Sequence, residues 1–309
     1  MDIFRYFRED YDGHSKSSAY LLAIASYYIY NNKPPGSPGE AFEDRFEDLF
    51  VKLSETDPFT VQIYADSPPE AFPYDTEVGV LSNSKLIIVA FRGTEGPQAV
   101  RDWLTNVQHL MRKAPDSWGT NLGVHKGFYN ALSTVYQSVR NRVRETRTNN
   151  QKVFITGHSL GGALATLCAF RLQKVGDVDV DGVYTFSAPR VGDLNFANEY
   201  NDILRSKTFR WVYKHDFGPQ LPIRAGVGPL AHQYVHSGVL NFVRPNGSIE
   251  MDHVDNIPAG FDASSVADHD IGRYVVTMYN RLSNDARQSP NNPAYLVKGD
   301  IGANSFPVI

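Results

Sequence analysis

Apolar residues recur along this chain with two spacings, one typical of helices and one typical of strands. Residues 16–30 are largely apolar and predict a buried helix. The stretch 31–39 must end that helix, because its prolines and glycines cannot continue one. A second helix is predicted where aromatic and leucine residues recur at helical spacing, at Phe42, Phe46, Leu49, Phe50 and Leu53.

Short runs rich in β-branched and aromatic residues then alternate with helical patterns. The predicted strands are 60–64, 78–81, 86–91, a run starting at residue 153, 182–187, 208–213 and 235–243, and the later helices are 129–146 and 271–282. This alternation predicts an α/β fold, with a mostly parallel sheet covered by helices on both faces, as a single domain over 1–309. The tail 286–309 is rich in Pro, Asn, Gly and Ser and indicates no role.

Composition narrows the class of protein. The chain has 309 residues, 42% of them apolar, and a formal net charge of −4, which gives no reason to expect a nucleic-acid partner. Its one cysteine, Cys168, excludes an internal disulfide and is expected to be a buried, inert thiol. No apolar run is long enough to cross a membrane, and the acidic N-terminus lacks the apolar core of a signal peptide. A cytoplasmic protein is expected, although the mature form of a secreted protein would have the same features.

The strand that starts at residue 153 ends in the motif Gly157-His158-Ser159-Leu160-Gly161 and is followed by small residues that open a helix. A strand, a sharp turn and a helix are the context that a Gly-x-Ser-x-Gly nucleophile elbow requires. The turn exposes the serine hydroxyl above the sheet, and the N-terminus of the helix directs backbone N–H groups toward a developing oxyanion. Ser159 is therefore the candidate nucleophile, with an ordinary turn serine as the alternative.

The serine needs a histidine to take its proton and an acid to orient that histidine. In this type of fold the acid follows a strand downstream of the serine. Asp216 does so, directly after the predicted strand 208–213. Asp193 also follows a strand and is the main alternative.

Five histidines downstream of Ser159 are candidate bases. His215 adjoins the acid and would point away from it, whereas His232 and His236 flank the start of a strand. His253 and His269 both lie in loops, but His269 immediately precedes a predicted helix. We favour His269 and keep His253 as its alternative.

Acyl transfer also needs donors that stabilise the oxyanion. The backbone N–H of Leu160, the residue after the nucleophile, is one candidate. The second is expected after an early strand, where Thr94 follows the apolar run 86–91 and could offer both its N–H and its hydroxyl. From the residues alone, Thr94 could equally be an ordinary loop threonine.

Six segments occur in a fixed order between about residues 60 and 285. They are Phe91-Arg92-Gly93-Thr94, Asp102-Trp103-Leu104, Val124-His125-Lys126-Gly127-Phe128, Gly157-His158-Ser159-Leu160-Gly161-Gly162-Ala163, Phe186-Ser187-Ala188-Pro189-Arg190-Val191-Gly192, and the stretch from Asp216 to Leu221-Pro222. Together they resemble the class 3 (fungal-type) lipases. Secreted fungal members typically carry disulfides and a signal sequence, which are not found here.

The resemblance implies an α/β-hydrolase fold and hydrolysis of carboxylic esters. It implies Ser159 as nucleophile, Asp216 as acid and His269 as base, with Thr94 and Leu160 forming the oxyanion hole. The segment around His125 is expected to be structural or pocket-lining in this family, not catalytic.

In the lipases of this family the stretch after the oxyanion threonine is a lid. Here residues 95–106 and their neighbour Val107 place apolar side chains at helical spacing, namely Val100, Trp103, Leu104 and Val107. This stripe favours a lid that covers the site in water and turns its apolar face to lipid. A surface helix packed on the core is the alternative.

These features predict a triacylglycerol lipase that acts on lipid or other acyl esters at a lipid–water interface. No cofactor is expected, and no metal, because Asp252-His253-Val254-Asp255 lacks partners at ligand spacing. An esterase of other acyl esters, phospholipase A1-like or feruloyl-esterase-like, is the alternative on the same residues. A non-catalytic interaction protein is a remote third possibility.

Overall fold

The computed structural model describes residues 15–31, 57–66, 76–94, 111–175, 178–222, 234–251 and 263–282. The helices in these ranges are α1 (Lys16–Tyr28), α2 (Lys126–Thr146), α3 (Leu160–Lys174), α4 (Leu194–Leu204), α5 (Ala263–Asp268) and α6 (Ile271–Tyr279). The strands are β1 (Thr60–Asp66), β2 (Thr76–Ser82), β3 (Leu86–Phe91), β4 (Met111–Lys113), β5 (Gly123–His125), β6 (Lys152–His158), β7 (Gly182–Phe186), β8 (Thr208–Tyr213), β9 (Val239–Val243) and β10 (Ile249–Met251).

Within the described ranges, eight strands form one sheet in the order β1-β2-β3-β6-β7-β8-β9-β10. The central strands β3, β6, β7, β8 and β9 run parallel to one another, and antiparallel strands complete both edges. Strands β4 and β5 pair separately as a short antiparallel ladder. The prediction of a mostly parallel sheet is confirmed.

Both faces of the sheet are buried, which explains why the sequence of strand β3 is continuously apolar. Ile87, Val89 and Phe91 pack into one cluster with the apolar sides of α2, α3 and α4. The alternate residues Ile88 and Ala90 pack into a second cluster with α1 and α6. Successive side chains of a strand point to opposite faces, so a strand covered on both sides needs apolar residues at every position.

Some elements begin or end away from their predicted limits. Helix α2 begins at Lys126 because His125 caps it, its Nδ1 accepting the backbone N–H of Phe128 at 3.3 Å. Strand β9 begins only at Val239, since Gly238 has φ +83°, where a Cβ would lie 2.4 Å from the side chain of Thr208. The predicted helix at 42–53, the lid stretch 95–107 and the tail 286–309 lie outside the described residues.

Candidate active site

The motif around Ser159 forms a tight turn between β6, which ends at His158, and α3, which begins at Leu160. Ser159 is buried and has φ 56° and ψ −127°. A positive φ is uncommon for a residue with a side chain and indicates strain that the surroundings must hold. The backbone N–H of Ser159 donates to the carbonyl oxygen of Phe186 at 2.9 Å, which ties the turn to the end of β7.

The glycines on either side of Ser159 are required by close backbone packing. A Cβ on Gly157 would lie 2.3 Å from the carbonyl carbon of Gly161, and one on Gly161 would lie 2.2 Å from the carbonyl oxygen of Phe91. Neither distance is possible for a real side chain. Glycine at both positions therefore lets α3 start directly against β3 and β6.

Three predicted residues meet at the carboxyl ends of the strands. His269 lies between α5 and α6, and its Nε2 is 2.9 Å from the Oγ of Ser159. The Nδ1 of the same ring is 2.8 Å from the Oδ1 of Asp216, which lies three residues after β8. All three side chains are buried. A hydroxyl, an imidazole and a carboxylate in this order can transfer a proton from oxygen to nitrogen.

The Asp216 carboxylate is fully buried and is surrounded by hydrogen-bond donors. Besides His269, the backbone N–H of Gly218 donates to Oδ1 at 2.8 Å, and the phenol of Tyr274 donates to Oδ2 at 2.5 Å. Burial and the neighbouring charge of Asp216 raise the pKa of Tyr274 well above its usual 10.0, so its phenol stays protonated and continues to donate. These donors replace the water that a buried carboxylate loses.

His158, beside Ser159, holds the backbone of His269. Its Nε2 lies 2.7 Å from the carbonyl oxygen of His269, and since a carbonyl only accepts, Nε2 carries the proton. Its Nδ1 then accepts the hydroxyl of Tyr30 at 2.7 Å. Burial, with a smaller contribution from the nearby His269 ring, lowers the pKa of His158 well below 6.5. His158 is therefore a neutral link between the turn after α1 and the loop of His269.

This neutral histidine predicts a dependence of stability on pH. Below pH 6.5 the unfolded chain protonates His158 and the folded chain does not. The contribution of His158 to the free energy of unfolding is therefore complete above pH 6.5 and decreases as the pH falls below that value. His158→Gln keeps one donor and one acceptor but does not titrate. In urea unfolding at about pH 8 and about pH 5.5, the stability advantage of the wild type over His158→Gln should shrink toward the acid side. The limiting slope is about 1.4 kcal/mol per pH unit, and equal differences at both pH values would contradict the role assigned to His158.

The two predicted oxyanion donors lie on adjacent segments. Leu160 is the first residue of α3, so its N–H is one of those that a helix leaves without an internal acceptor. Thr94 follows β3 by three residues, and its neighbour Gly93 lies against the elbow, where a Cβ would be 2.5 Å from the His158 carbonyl oxygen. The Thr94 hydroxyl is buried and makes no hydrogen bond within the described part of the chain. A donor held there without a partner suits a substrate oxygen.

Residues 88–225 match the family model of lipase (class 3). Over this segment the chain is similar to the class 3 lipases. The matched segment includes Thr94, Ser159 and Asp216 but ends before His269. The role of His269 therefore depends on its contacts with Ser159 and Asp216.

Curated relatives include fungal lipases. The chain is 33% identical over 180 residues to a lipase from Rhizomucor miehei, which covers 56% of this chain and 46% of the relative. It is 35% identical over 155 residues to a secreted mono- and diacylglycerol lipase from Fusarium solani, covering 50% of this chain and 42% of that enzyme. This chain thus matches less than half the length of each of these two relatives.

Solved structures agree at the level of the fold. A lipase from Rhizopus microsporus var. chinensis has a TM-score of 0.58 with this chain at 25% identity, over 82% of this chain and 84% of that one. The central sheet and its flanking helices thus form the α/β-hydrolase fold, as predicted.

Among the residues that the structure describes, the alternative acid and the alternative bases have other partners. Asp193 caps α4, accepting the backbone N–H of Phe196 at 2.8 Å and of Gly123 at 3.0 Å. The Nε2 of His236 lies 2.8 Å from the carbonyl oxygen of Pro219, and His215 lies beside Asp268 at the surface. His232 and His253 lie outside the described residues.

The lid candidates Val100, Trp103, Leu104 and Val107 also lie outside the described residues. Cys168 is buried, and burial raises the pKa of its thiol to about 12, as suits an inert cysteine. Among the residues that the structure describes, no group of three or more His, Cys, Asp or Glu side chains could hold a metal ion.

Three residues around the site were not predicted from the sequence, namely Ser187, His158 and Tyr274. Each contacts His269 or Asp216, residues that are distant in the sequence and become neighbours only in the folded chain. The sequence signals were weak: His158 lies inside the elbow motif, Ser187 is the second residue of a segment of the family resemblance, and Tyr274 lies five residues after His269.

Proposed function

We propose that this chain is a class 3 lipase that hydrolyses carboxylic esters of acylglycerols through an acyl-enzyme intermediate. Ser159 is the nucleophile, His269 the general base and Asp216 the acid that orients it. The observation that carries the proposal is the continuous contact from Ser159 Oγ to His269 Nε2 and from His269 Nδ1 to Asp216 Oδ1. Ser159 lies on a strained turn at the carboxyl ends of the parallel strands, where open α/β folds bind their ligands.

The chemistry proceeds in two halves. Ser159 Oγ attacks the ester carbonyl carbon while His269 Nε2 takes its proton, and the imidazolium then protonates the departing alcohol. A water molecule next attacks the acyl-enzyme, again giving its proton to His269, and the fatty acid leaves as Ser159 recovers the proton. Asp216 stabilises the imidazolium through Nδ1–H in both halves.

The negative charge of each tetrahedral intermediate falls on the former carbonyl oxygen. We assign its stabilisation to the N–H of Leu160 at the start of α3 and to Thr94, whose buried hydroxyl lacks a partner in the described ranges. Loss of one such donor typically lowers the rate by about 100- to 1,000-fold.

Acylglycerols are the proposed substrates because the chain resembles relatives named as lipases and mono- and diacylglycerol lipases. The apolar stripe predicted in 95–107 adds support, since a lid of this kind suits long acyl chains and a lipid surface. No helix in the described part of the chain is both long and apolar enough to cross a membrane.

A substrate panel tests this proposal. Initial rates are measured on acylglycerols of increasing chain length below and above their solubility limit, on phosphatidylcholine vesicles and on methyl ferulate. We expect the highest rates on emulsified long-chain acylglycerols. Preference for the phospholipid or the ferulate would replace the substrate class by the esterase alternative. Absence of both hydrolysis and phosphonate labelling would contradict an enzymatic role.

The same panel tests the lid. Trp103→Ser removes the largest apolar side chain of the stripe, and burying such a side chain in lipid stabilises the open form by about 1.5–3 kcal/mol. We expect a loss of about tenfold or more on emulsified long-chain esters, with little change on a soluble short-chain ester. An equal loss on both substrates, together with a lower melting temperature, would make Trp103 a core residue.

A further inference from the structure

Ser187 has an unusual backbone conformation directly after β7. Its φ is 56°, in the left-handed region that favours glycine, and the residue is fully buried. A glycine would adopt this conformation without the steric penalty that a Cβ brings. Strain of this kind persists only where the surroundings enforce it, and it clusters at functional sites.

The Ser187 hydroxyl contacts the catalytic imidazole. Its Oγ lies 2.7 Å from the Nδ1 of His269, the nitrogen that also lies 2.8 Å from Asp216 Oδ1. The hydroxyl is tightly enclosed, since a Cβ on Gly218 would lie 2.3 Å from it. The space between the two residues therefore accommodates the hydroxyl of Ser187 only because residue 218 is a glycine.

The direction of each hydrogen bond at Nδ1 follows from the Asp216 carboxylate. A carboxylate only accepts, so the 2.8 Å contact between Asp216 Oδ1 and His269 Nδ1 requires that Nδ1 carry a proton. The Ser187 Oγ, 2.7 Å from the same nitrogen, then presents a lone pair to the Nδ1–H and accepts from it.

We propose that Ser187 is a positioning residue of the triad, which shares the Nδ1–H of His269 with Asp216 and holds the ring in the tautomer that can deprotonate Ser159. This inference rests on the proposed function, because it assigns Ser187 a task only if His269 is the base. A second acceptor at Nδ1 limits rotation of the ring and keeps Nε2 directed at Ser159.

The other groups around His269 leave this task to Ser187 and Asp216. His158 contacts the backbone carbonyl of His269, and Phe217 stacks on the ring with centroids 4.5 Å apart. Stacking resists tilting of the ring but supplies no acceptor at Nδ1. The acceptors that the structure gives Nδ1 are thus a carboxylate and a hydroxyl.

Two substitutions separate the hydroxyl from the backbone strain. Ser187→Ala removes the hydroxyl and keeps the Cβ, whereas Ser187→Gly removes both and suits the positive φ. We expect both to lower kcat on a soluble short-chain ester by about 10- to 100-fold, the range for a hydrogen bond to a charged group, with KM within about twofold. The melting temperature of Ser187→Gly should equal or exceed that of the wild type.

Asn150→Gly is the matched control for relief of strain. Asn150 has φ 58°, is exposed, and lies just before β6, at the end of that strand opposite Ser159. We expect Asn150→Gly to leave kcat and KM unchanged. A spectroscopic readout completes the design: the downfield proton NMR signal of the His269 Nδ1–H should shift or broaden in both Ser187 variants and stay unchanged in Asn150→Gly.

The outcomes are distinguishable. Wild-type kcat in Ser187→Gly, or an unchanged Nδ1–H signal in both variants, would overturn the role of Ser187 while an active wild type upholds the proposed function. A fall in kcat accompanied by several degrees of lost melting temperature in both variants would make Ser187 a scaffold residue and also overturn it. An inactive wild type that no phosphonate labels would instead overturn the proposed function itself.

Discussion

Ser159→Ala is expected to remove ester hydrolysis almost completely, by a factor on the order of 10⁴ or more, while the protein stays folded. The substitution deletes only Oγ, and alanine retains the Cβ that the strained turn already accommodates. The hydroxyl takes no part in the backbone hydrogen bond from Ser159 to Phe186 or in the close glycine contacts of the elbow. Kinetics with a soluble ester, together with thermal unfolding, give the two readouts.

A control serine and a covalent probe sharpen this test. Ser133→Ala changes an exposed serine of α2 that donates to its own helix at Tyr129, so its activity should match the wild type. An organophosphonate should label the wild type at one serine, identified by mass spectrometry as Ser159, and should not label Ser159→Ala. Labelling at a different serine would refute the choice of nucleophile.

Loss of the base should be as severe as loss of the nucleophile. His269→Ala removes the group that takes the proton of Ser159, and Asp216→Asn leaves a side chain of the same shape that favours the wrong tautomer of His269. A change of the latter kind lowers kcat by about 10⁴-fold in a serine triad. Both variants should be assayed on the same soluble ester as Ser159→Ala.

Two comparisons distinguish a triad from independent contributions. The double variant Ser159→Ala/His269→Ala should be no less active than either single variant, because members of a triad act as one unit. His253→Ala, which changes the alternative base, should retain wild-type activity. An inactive His253→Ala beside an active His269→Ala would assign the base to His253.

Much of the fold could be predicted because its signals are local. The continuous apolar run of β3 follows from burial on both faces, and the elbow from a strand, glycines and small residues in sequence. These patterns depend on the near neighbours of each residue. The limits of β9 could not be predicted in this way, because they depend on how closely Gly238 approaches Thr208 from another strand.

Other expectations stay predictions. The treatment of 1–309 as a single domain, the lid with its Trp103, and a cytoplasmic location are supported by sequence patterns alone. The roles of Ser159, Asp216 and His269 are proposals with the tests given above.

The sequence by itself determined the elbow, its candidate serine and the order in which an acid and a base should follow, because glycine spacing and strand–helix alternation are properties of the chain. Only the tertiary structure decided which histidine meets Ser159, since His269 and Asp216 come from loops far apart in the sequence. It alone placed Ser187, at a positive φ that no residue pattern shows, against the Nδ1 of His269. Hydrogen bonds between side chains depend on distances of a few tenths of an ångström, and those distances are set by packing across the whole fold.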